Sequence, residues 1–159
     1  MYPTSRRITG ILAATVLAAA MAGSVSAAPP PIAITITSTH LVAKIQVIVG
    51  FDVVCQPLVS AIDGSPVTTA ALGFGATMDQ ANGKKIAHAE GGDLMPNSNR
   101  LITCDGTTVT HLSVTMLSAT VPFHKAAAIA GVRVNVDDPS CIYCGSDRTL
   151  LITPKVKLG

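Results

Sequence analysis

Residues 41–55 read LVAKIQVIVGFDVVC, and a hydrophobic residue stands at every odd position. These residues are Leu41, Ala43, Ile45, Val47, Val49, Phe51, Val53 and Cys55. Successive side chains of a strand point to opposite faces, so a period of two indicates a strand with one buried face. Valine, isoleucine and phenylalanine also favour strands. The stretch therefore predicts one long strand packed against a core.

The same alternation recurs through most of the chain after residue 31. The further alternating segments are Ile32 to Ile36, Ala70 to Met78, Ile102 to Cys104, Leu112 to Met116, Ala126 to Val136 and Leu150 to Leu158. The first of these has the opposite phase to residues 41–55, which requires a bulge or a change of sheet near Ser38 to His40. About seven strands separated by Gly, Pro, Asp and Ser turns predict an all-β fold, an antiparallel immunoglobulin-like β-sandwich.

Two segments depart from the regular pattern. Gly83 to Asn99 alternates weakly, so we expect one short strand, Lys85 to Ala89, with loops around it. Pro154 and the neighbouring lysines mark the last strand as an edge, because proline cannot donate to a ladder and lysine discourages edge-to-edge pairing.

The N-terminus has the features of a secretory signal. Arg6 and Arg7 precede an apolar run from Ile8 to Val25, and small residues lead to Ala27. We therefore expect residues 1–27 to be a cleaved signal peptide, residues 28–40 a proline-rich leader and first strand, and residues 41–159 a single β-sandwich domain. The mature, secreted chain would begin at Ala28.

Composition narrows the classes of partner. Cleavage would remove two arginines and no acidic residue, so the formal net charge of +2 would fall to zero. A neutral surface gives no electrostatic argument for a nucleic-acid partner. After residue 27 the sequence has no apolar stretch long enough to predict a membrane-spanning segment. Aromatic residues make up only 3% of the chain, which disfavours stacking surfaces for bases or sugars. No cofactor is indicated. The sequence does not identify a partner, and a cell-envelope component or another protein remains the candidate.

Cys55 and Cys104 stand at the ends of two predicted strands, each on the apolar face. Two inward-facing cysteines far apart in sequence fit a disulfide across a β core. An exported chain would keep such a bridge oxidised.

Cys141 and Cys144 form a Cys-x-x-Cys motif between two predicted strands. A redox dithiol needs a helix N-terminus to stabilise its thiolate, and no helix is predicted after this motif. A zinc site would need two further ligands nearby. We expect a local disulfide, with redox and metal-binding roles as the alternatives.

Three aspartates, Asp137, Asp138 and Asp147, flank the same motif. Carboxylate oxygens are suited to calcium, but the spacing matches no known calcium loop. A solvated acidic turn is the expectation, and no metal site is predicted there.

The remaining polar residues suggest no catalytic site. The four histidines, His40, His88, His111 and His124, have no partner at metal-binding spacing. His111 and Ser113 would share a strand face near Asp105, but no nucleophile elbow or oxyanion loop accompanies them. We expect no enzymatic activity.

The sequence from Cys104-Asp105-Gly106 through the strand Thr110 to Leu117 and the run Val121 to Ala128 resembles small exported proteins of actinobacteria. The resemblance extends over about Leu41 to Val136 and excludes the Cys141–Cys144 loop. It implies an immunoglobulin-like sandwich and carries no known activity or site residues.

Together these patterns predict a secreted, non-catalytic domain that acts by surface contact or in association with the cell envelope. The alternative is a module that binds a small ligand or a metal through the loop Cys141 to Asp147. An enzyme ranks last.

Overall fold

The computed structural model describes residues 31–60, 62–141 and 148–159, and this part of the chain is all β. Its strands are β1 Ile32–Ala43, β2 Gln46–Cys55, β3 Leu58–Val59, β4 Pro66–Val67, β5 Thr69–Asn82, β6 Lys85–Thr103, β7 Val109–Ser118, β8 Ala127–Asp137, β9 Arg148–Ile152 and β10 Lys155–Lys157. Strands β5, β7 and β8 confirm the alternating segments predicted there. None of the described residues belongs to a helix capable of crossing a membrane.

The stretch predicted as one long strand is a tight hairpin. Lys44 and Ile45 form a two-residue turn between β1 and β2, and Ile45 is exposed rather than buried. A register shift beside Val42 lets Leu41 pair with Val47, so the inward positions keep odd numbers on both strands. The alternation therefore continues through the turn, and the prediction of a single strand is wrong for that reason.

The predicted change of phase before Leu41 is confirmed as a bulge. The register of β1 against β2 shifts between Ile36 and Ser38, next to the predicted position. Strand β1 then continues to Ala43, across the expected boundary at residue 40.

Eight strands share one antiparallel sheet, in the order β1-β2-β7-β6-β5-β8-β10, with β9 also paired to β8. The sheet curls into a half-barrel, and β3 and β4 form a small separate sheet. Strands β6 and β7 join the two halves through only two residue pairs, Ala89 with Ser118 and Glu90 with Leu117. This junction makes the pairing of the large sheet continuous, and the predicted seven-stranded immunoglobulin-like sandwich is not confirmed.

A single apolar core fills the concave side of the sheet. Its completely enclosed side chains include Val47, Val49, Phe51, Met78, Val132 and Val134. Phe51 of β2 meets Phe74 of β5 edge to face, with ring centroids 6.0 Å apart. Gln80, the largest buried polar side chain among the described residues, is hydrogen-bonded to the backbone of His124. The His124 carbonyl accepts from the Gln80 side-chain amide at 2.8 Å, and the His124 amide donates to the Gln80 side-chain carbonyl at 2.9 Å.

Strand β6 corrects the prediction of a short strand followed by loops. Its pairing with β5 continues past Ala89 to Thr103, but with large irregularities. Asn97 pairs with Leu72 and Leu101 with Ala71, so one step along β5 is matched by four along β6. The surplus residues arch over the outer face of β5, and this arch shapes the surface described below.

The predicted bridge between Cys55 and Cys104 is confirmed. The two sulfur atoms are 2.12 Å apart, and both residues are buried. The bridge joins the end of β2 to the residue after β6, and so ties together the two halves of the curled sheet.

Pro154 interrupts the last predicted strand and divides it into β9 and β10. The carbonyl of Pro154 accepts a hydrogen bond from the Ala130 amide at 3.1 Å, so both short strands follow β8. Strand β10 ends the sheet order, as expected for an edge strand.

Candidate functional site

A groove lies on the outer face of β6, β5, β8 and β9. Two rows of outward-facing residues cross these strands to form its floor. One row is Gly92, Gly75, Arg133 and Leu151, and the next is Glu90, Thr77, Gly131 and Thr153. Glycines occupy one or two positions in each row, so the backbone of the sheet is open between the side chains. Glycine inside a strand often marks a place where another group approaches the backbone closely.

The glycines of the floor are required by their neighbours. A Cβ atom at Gly131 would collide with the hydroxyl of Thr77. One at Gly75 would come within 3.0 Å of the Gly91 carbonyl oxygen and 3.1 Å of the Leu94 side chain. Larger residues would therefore fill the groove or displace its walls.

The arch of β6 forms one wall. Leu94 crosses above Gly73 so closely that a Cβ there would strike the Leu94 carbonyl. That carbonyl accepts a hydrogen bond from the side-chain amide of Asn135 at 2.6 Å. Gly92 begins the arch with φ of 99°, a conformation that favours glycine. Asn135 thus anchors the arch to β8.

The opposite wall comes from β9. Leu151 is half-exposed, and Leu94 faces solvent to a similar degree. The groove between these walls has a volume of about 730 Å³. This volume falls in the range of pockets that hold small organic ligands.

Some of the charged side chains around the groove lie close to an oppositely charged side chain or a histidine, and one does not. Asp93 accepts from the Arg100 guanidinium at 3.0 Å, and Glu90 lies 4.0 Å from Nε2 of His88. The guanidinium of Arg133 makes no hydrogen bond or ion pair with any described residue. The groove therefore contains a guanidinium that no described carboxylate neutralises.

A smaller cleft of about 250 Å³ lies on the other side of the arch, where β6 and β7 diverge. Arg100 covers part of it, with its guanidinium carbon 5.8 Å from the centre of the Phe74 ring. The Asp93–Arg100 pair therefore holds the arch from the side opposite the groove.

The loop Cys141 to Asp147, which the alternative hypothesis assigns to a small ligand or a metal, falls mostly outside the described residues. Cys144 and Asp147 belong to residues 142–147, so the predicted Cys141–Cys144 bridge and the loop site lie outside the described residues. None of the described cysteines carries a free thiol.

The adjoining aspartates differ from the expected solvated turn. Asp137 and Asp138 are only 2% and 1% exposed. Asp138 accepts from the Ser140 hydroxyl at 2.6 Å and from its amide at 2.8 Å, and these hydrogen bonds, the hydroxyl first, hold the pKa of Asp138 below its usual value. Oδ1 of Asp137 likewise accepts from the Asp138 amide at 2.8 Å, so one oxygen of each buried carboxylate has a local donor. Within the described ranges, no group of three or more His, Cys, Asp or Glu side chains is arranged to hold a metal ion.

Two histidines each meet an aspartate across a strand pair. Nδ1 of His111 lies 2.6 Å from Asp52, and Nδ1 of His88 lies 2.7 Å from Asp79. The sequence grouped His111 with Asp105 instead, because they are neighbours in the chain. The cross-strand register between β2 and β7, which sequence reasoning missed, decides the actual partner.

Ser113 lies two residues from His111 on the same face of β7, but no described hydrogen bond joins the two side chains. His111 is 79% exposed on an open sheet face. A nucleophile needs its base within hydrogen-bond reach. The arrangement orients a histidine and does not complete a catalytic unit among the described residues.

Asp105 has a local structural role. Its carboxylate accepts from the amides of Thr108 and Thr107 at 2.7 and 2.8 Å, and from the Thr108 hydroxyl at 2.7 Å. These bonds, the Thr108 amide first, hold the pKa of Asp105 far below its usual value. The residue closes the turn between Cys104 and β7.

The groove was not predicted from the sequence, although a signal was present. Gly73, Gly75 and Gly131 interrupt otherwise regular strand patterns, and Gly91-Gly92 lies inside β6.

A scan against protein-family models found no match, and neither did searches of curated proteins and of solved structures.

Proposed function

We propose that this protein is an exported, non-catalytic binding module whose binding surface is the groove between Leu94 and Leu151. One observation carries the proposal: the glycine floor opens a volume of about 730 Å³ over the backbone of four strands. A floor of this kind, with the wall formed by the arch of β6 held by Asn135, provides a pre-formed recess rather than a flat sheet face.

The non-catalytic part of the proposal is supported by the histidine geometry. His111 is held by Asp52, but its neighbour Ser113 makes no described hydrogen bond to it. The groove itself contains no described pair of nucleophile and base. Binding is thus the activity that the described chemistry supports best.

Export is supported by the N-terminal pattern of two arginines, an apolar run and Ala27, and a buried disulfide is compatible with it. The same proposal includes a partner in the cell envelope or a location there. It also includes an immunoglobulin-like fold, as the resemblance to exported actinobacterial proteins implies. Intact-mass measurement on protein from culture medium should give a chain that starts at Ala28 and resists thiol labelling before reduction. Extracellular protein that retains Met1, or that labels without reduction, would contradict it.

The groove can be tested without knowing its ligand. A fragment library, screened by ¹H–¹⁵N NMR, should shift the amides of Gly75, Gly92 and Gly131 together. The variant Thr153→Trp places a large ring in the groove and should abolish these shifts.

The matched control is Thr35→Trp, an exposed position on the outer face of β1. It adds the same ring elsewhere and should leave the fragment shifts unchanged. Shifts that scatter over the surface, or that survive Thr153→Trp, would show that the groove is not the binding surface.

A further inference from the structure

The groove presents hydrogen-bond donors that lack protein acceptors. The guanidinium of Arg133 makes no hydrogen bond or ion pair with a described residue, and the hydroxyls of Thr77 and Thr153 beside it make no hydrogen bond to one. The two nearby carboxylates are engaged elsewhere: Asp93 with Arg100, and Glu90 with His88 at longer range. This set of donors around one guanidinium is suited to a carboxylate, which the planar guanidinium can hold through two parallel bonds.

The remaining surface of the groove is apolar or lacks side chains. Leu94 and Leu151 form the two walls, and glycines leave the floor flat between them. An alkyl chain placed there would cover both leucines and remove apolar surface from water. The groove is therefore amphipathic, with the Arg133 cation on its floor next to Leu151 and apolar surface over the glycines between Arg133 and Leu94.

Charge distribution sets the orientation of a ligand. Arg133 lies on β8 and Glu90 on β6, with β5 between them, and the two residues belong to neighbouring rows of the floor. Strand spacing and rise place their Cα atoms roughly 12 Å apart. A carboxylate is attracted to the Arg133 side and repelled from the Glu90 side, so the apolar body points away from Arg133.

We propose that the groove binds an apolar monocarboxylate, with its carboxylate on Arg133 and its alkyl body between Leu94 and Leu151. This proposal rests on the proposed binding function and names the chemical class of its ligand. A small molecule fits better than a long peptide because the arch of β6 closes the groove beside Leu94.

The test uses sodium octanoate as the probe, titrated into the ¹⁵N-labelled protein. Octanoate should shift the amides of Gly75, Gly92 and Gly131. Octanamide has the same alkyl chain without the charge, and octylammonium reverses the charge. Both should bind at least about tenfold more weakly, since a hydrogen-bonded charge contributes that much.

The variants separate the two parts of the site. Arg133→Gln should weaken octanoate binding by about tenfold or more while octanamide changes little. Leu151→Asp should weaken it as well, by adding repulsion and removing apolar wall. Lys155→Gln removes an exposed cation from neighbouring β10 and should leave the affinity unchanged.

Each contrary result has a defined meaning. If fragments bind in the groove but octanoate does not, the ligand class is wrong and the groove stands. If octanamide binds as well as octanoate, or if Arg133→Gln binds octanoate unchanged, the carboxylate site is refuted. If neither fragments nor octanoate shift the floor amides, both proposals fail.

Discussion

At the scale of single residues, Asp105 shows how an exposed side chain determines a turn. Its two carboxylate oxygens accept hydrogen bonds from the amides and hydroxyls of Thr107 and Thr108. These bonds favour the ionised carboxylate, so the pKa of Asp105 is lowered on folding. The contribution to stability is present above the ordinary aspartate pKa, near pH 4, and is lost as the pH falls toward the lowered pKa.

The variant Asp105→Asn tests this linkage. It keeps one acceptor oxygen but loses the charge, so its melting temperature at neutral pH should be lower than that of the unaltered protein. The difference should shrink as both proteins are acidified to about pH 2, because the unfolded chain then binds a proton at Asp105 that the folded carboxylate does not, and this favours unfolding. Thermal melts followed by circular dichroism over this pH range provide the measurement.

Glu90→Gln serves as the matched control, since the Glu90 carboxylate has only a contact at 4.0 Å with His88. It should show no such convergence. If Asp105→Asn instead keeps a constant deficit at every pH, the turn is stabilised by shape and not by charge.

The floor of the groove also depends on single residues. Gly131 can lie beside Thr77, and Gly75 beneath Leu94, only because neither has a side chain. The sequence contains these glycines within regular strand patterns, but a strand glycine is equally typical of a bulge. Only the register that places Gly75 next to Arg133 turns them into a recess.

At the scale of elements, the bridge between Cys55 and Cys104 joins the ends of β2 and β6. These residues are 49 positions apart, so the bridge closes a long loop in the unfolded chain. Loop-closure entropy for that length predicts about 4 kcal/mol of stabilisation. Replacing both cysteines with alanine should lower the free energy of unfolding in urea by about that amount.

The short bridge expected between Cys141 and Cys144 is the natural comparison. A four-residue loop predicts only about 2 kcal/mol on the same scale. The double alanine variant at 141 and 144 should therefore be the more stable of the two. Equal losses, or a larger loss for the short bridge, would refute the entropic account.

The pairing partners of the elements were predictable in part. Cys55 and Cys104 were found because both end strands in the buried phase, which is a local property. The turn at Lys44 and Ile45 was missed because the shift beside Val42 preserves the alternation. Turn prediction relies on Gly, Asn, Asp and Pro, and none of these occurs there.

Strand β6 was missed for the opposite reason. Gly91-Gly92 and Pro96-Asn97 are typical of loops, so the local pattern predicts loops after Ala89. The arch remains part of a strand because its ends pair with β5 and because Asn135 holds Leu94. Such support comes from residues distant in sequence, so no local pattern reveals it.

At the scale of the whole molecule, the curled sheet is also closed on its open side by the C-terminus. The Leu41 amide of β1 donates to the carbonyl of Gly159 at 3.1 Å, and the Thr39 hydroxyl donates to that of Lys157 at 2.9 Å. Leu158, which lies between Lys157 and Gly159 in the chain, is completely buried in the core. The C-terminal residues thus connect the first strand of the sheet with its last.

This closure makes Leu158 a test of the whole architecture. Leu158→Ala should lower the free energy of unfolding by about 3 kcal/mol, because it removes buried methyl groups and leaves a cavity at the seam. Hydrogen exchange at the Leu41 amide should accelerate, since its acceptor, the Gly159 carbonyl, is held in place by the leucine beside it. Leu151→Ala is the matched control: Leu151 is half-exposed, so its loss should cost only about 0.5 kcal/mol and leave Leu41 protected. Equal costs for the two leucines, with unchanged exchange at Leu41, would mean that the seam adds nothing to stability and that the disulfide and the β6–β7 junction alone hold the two halves together.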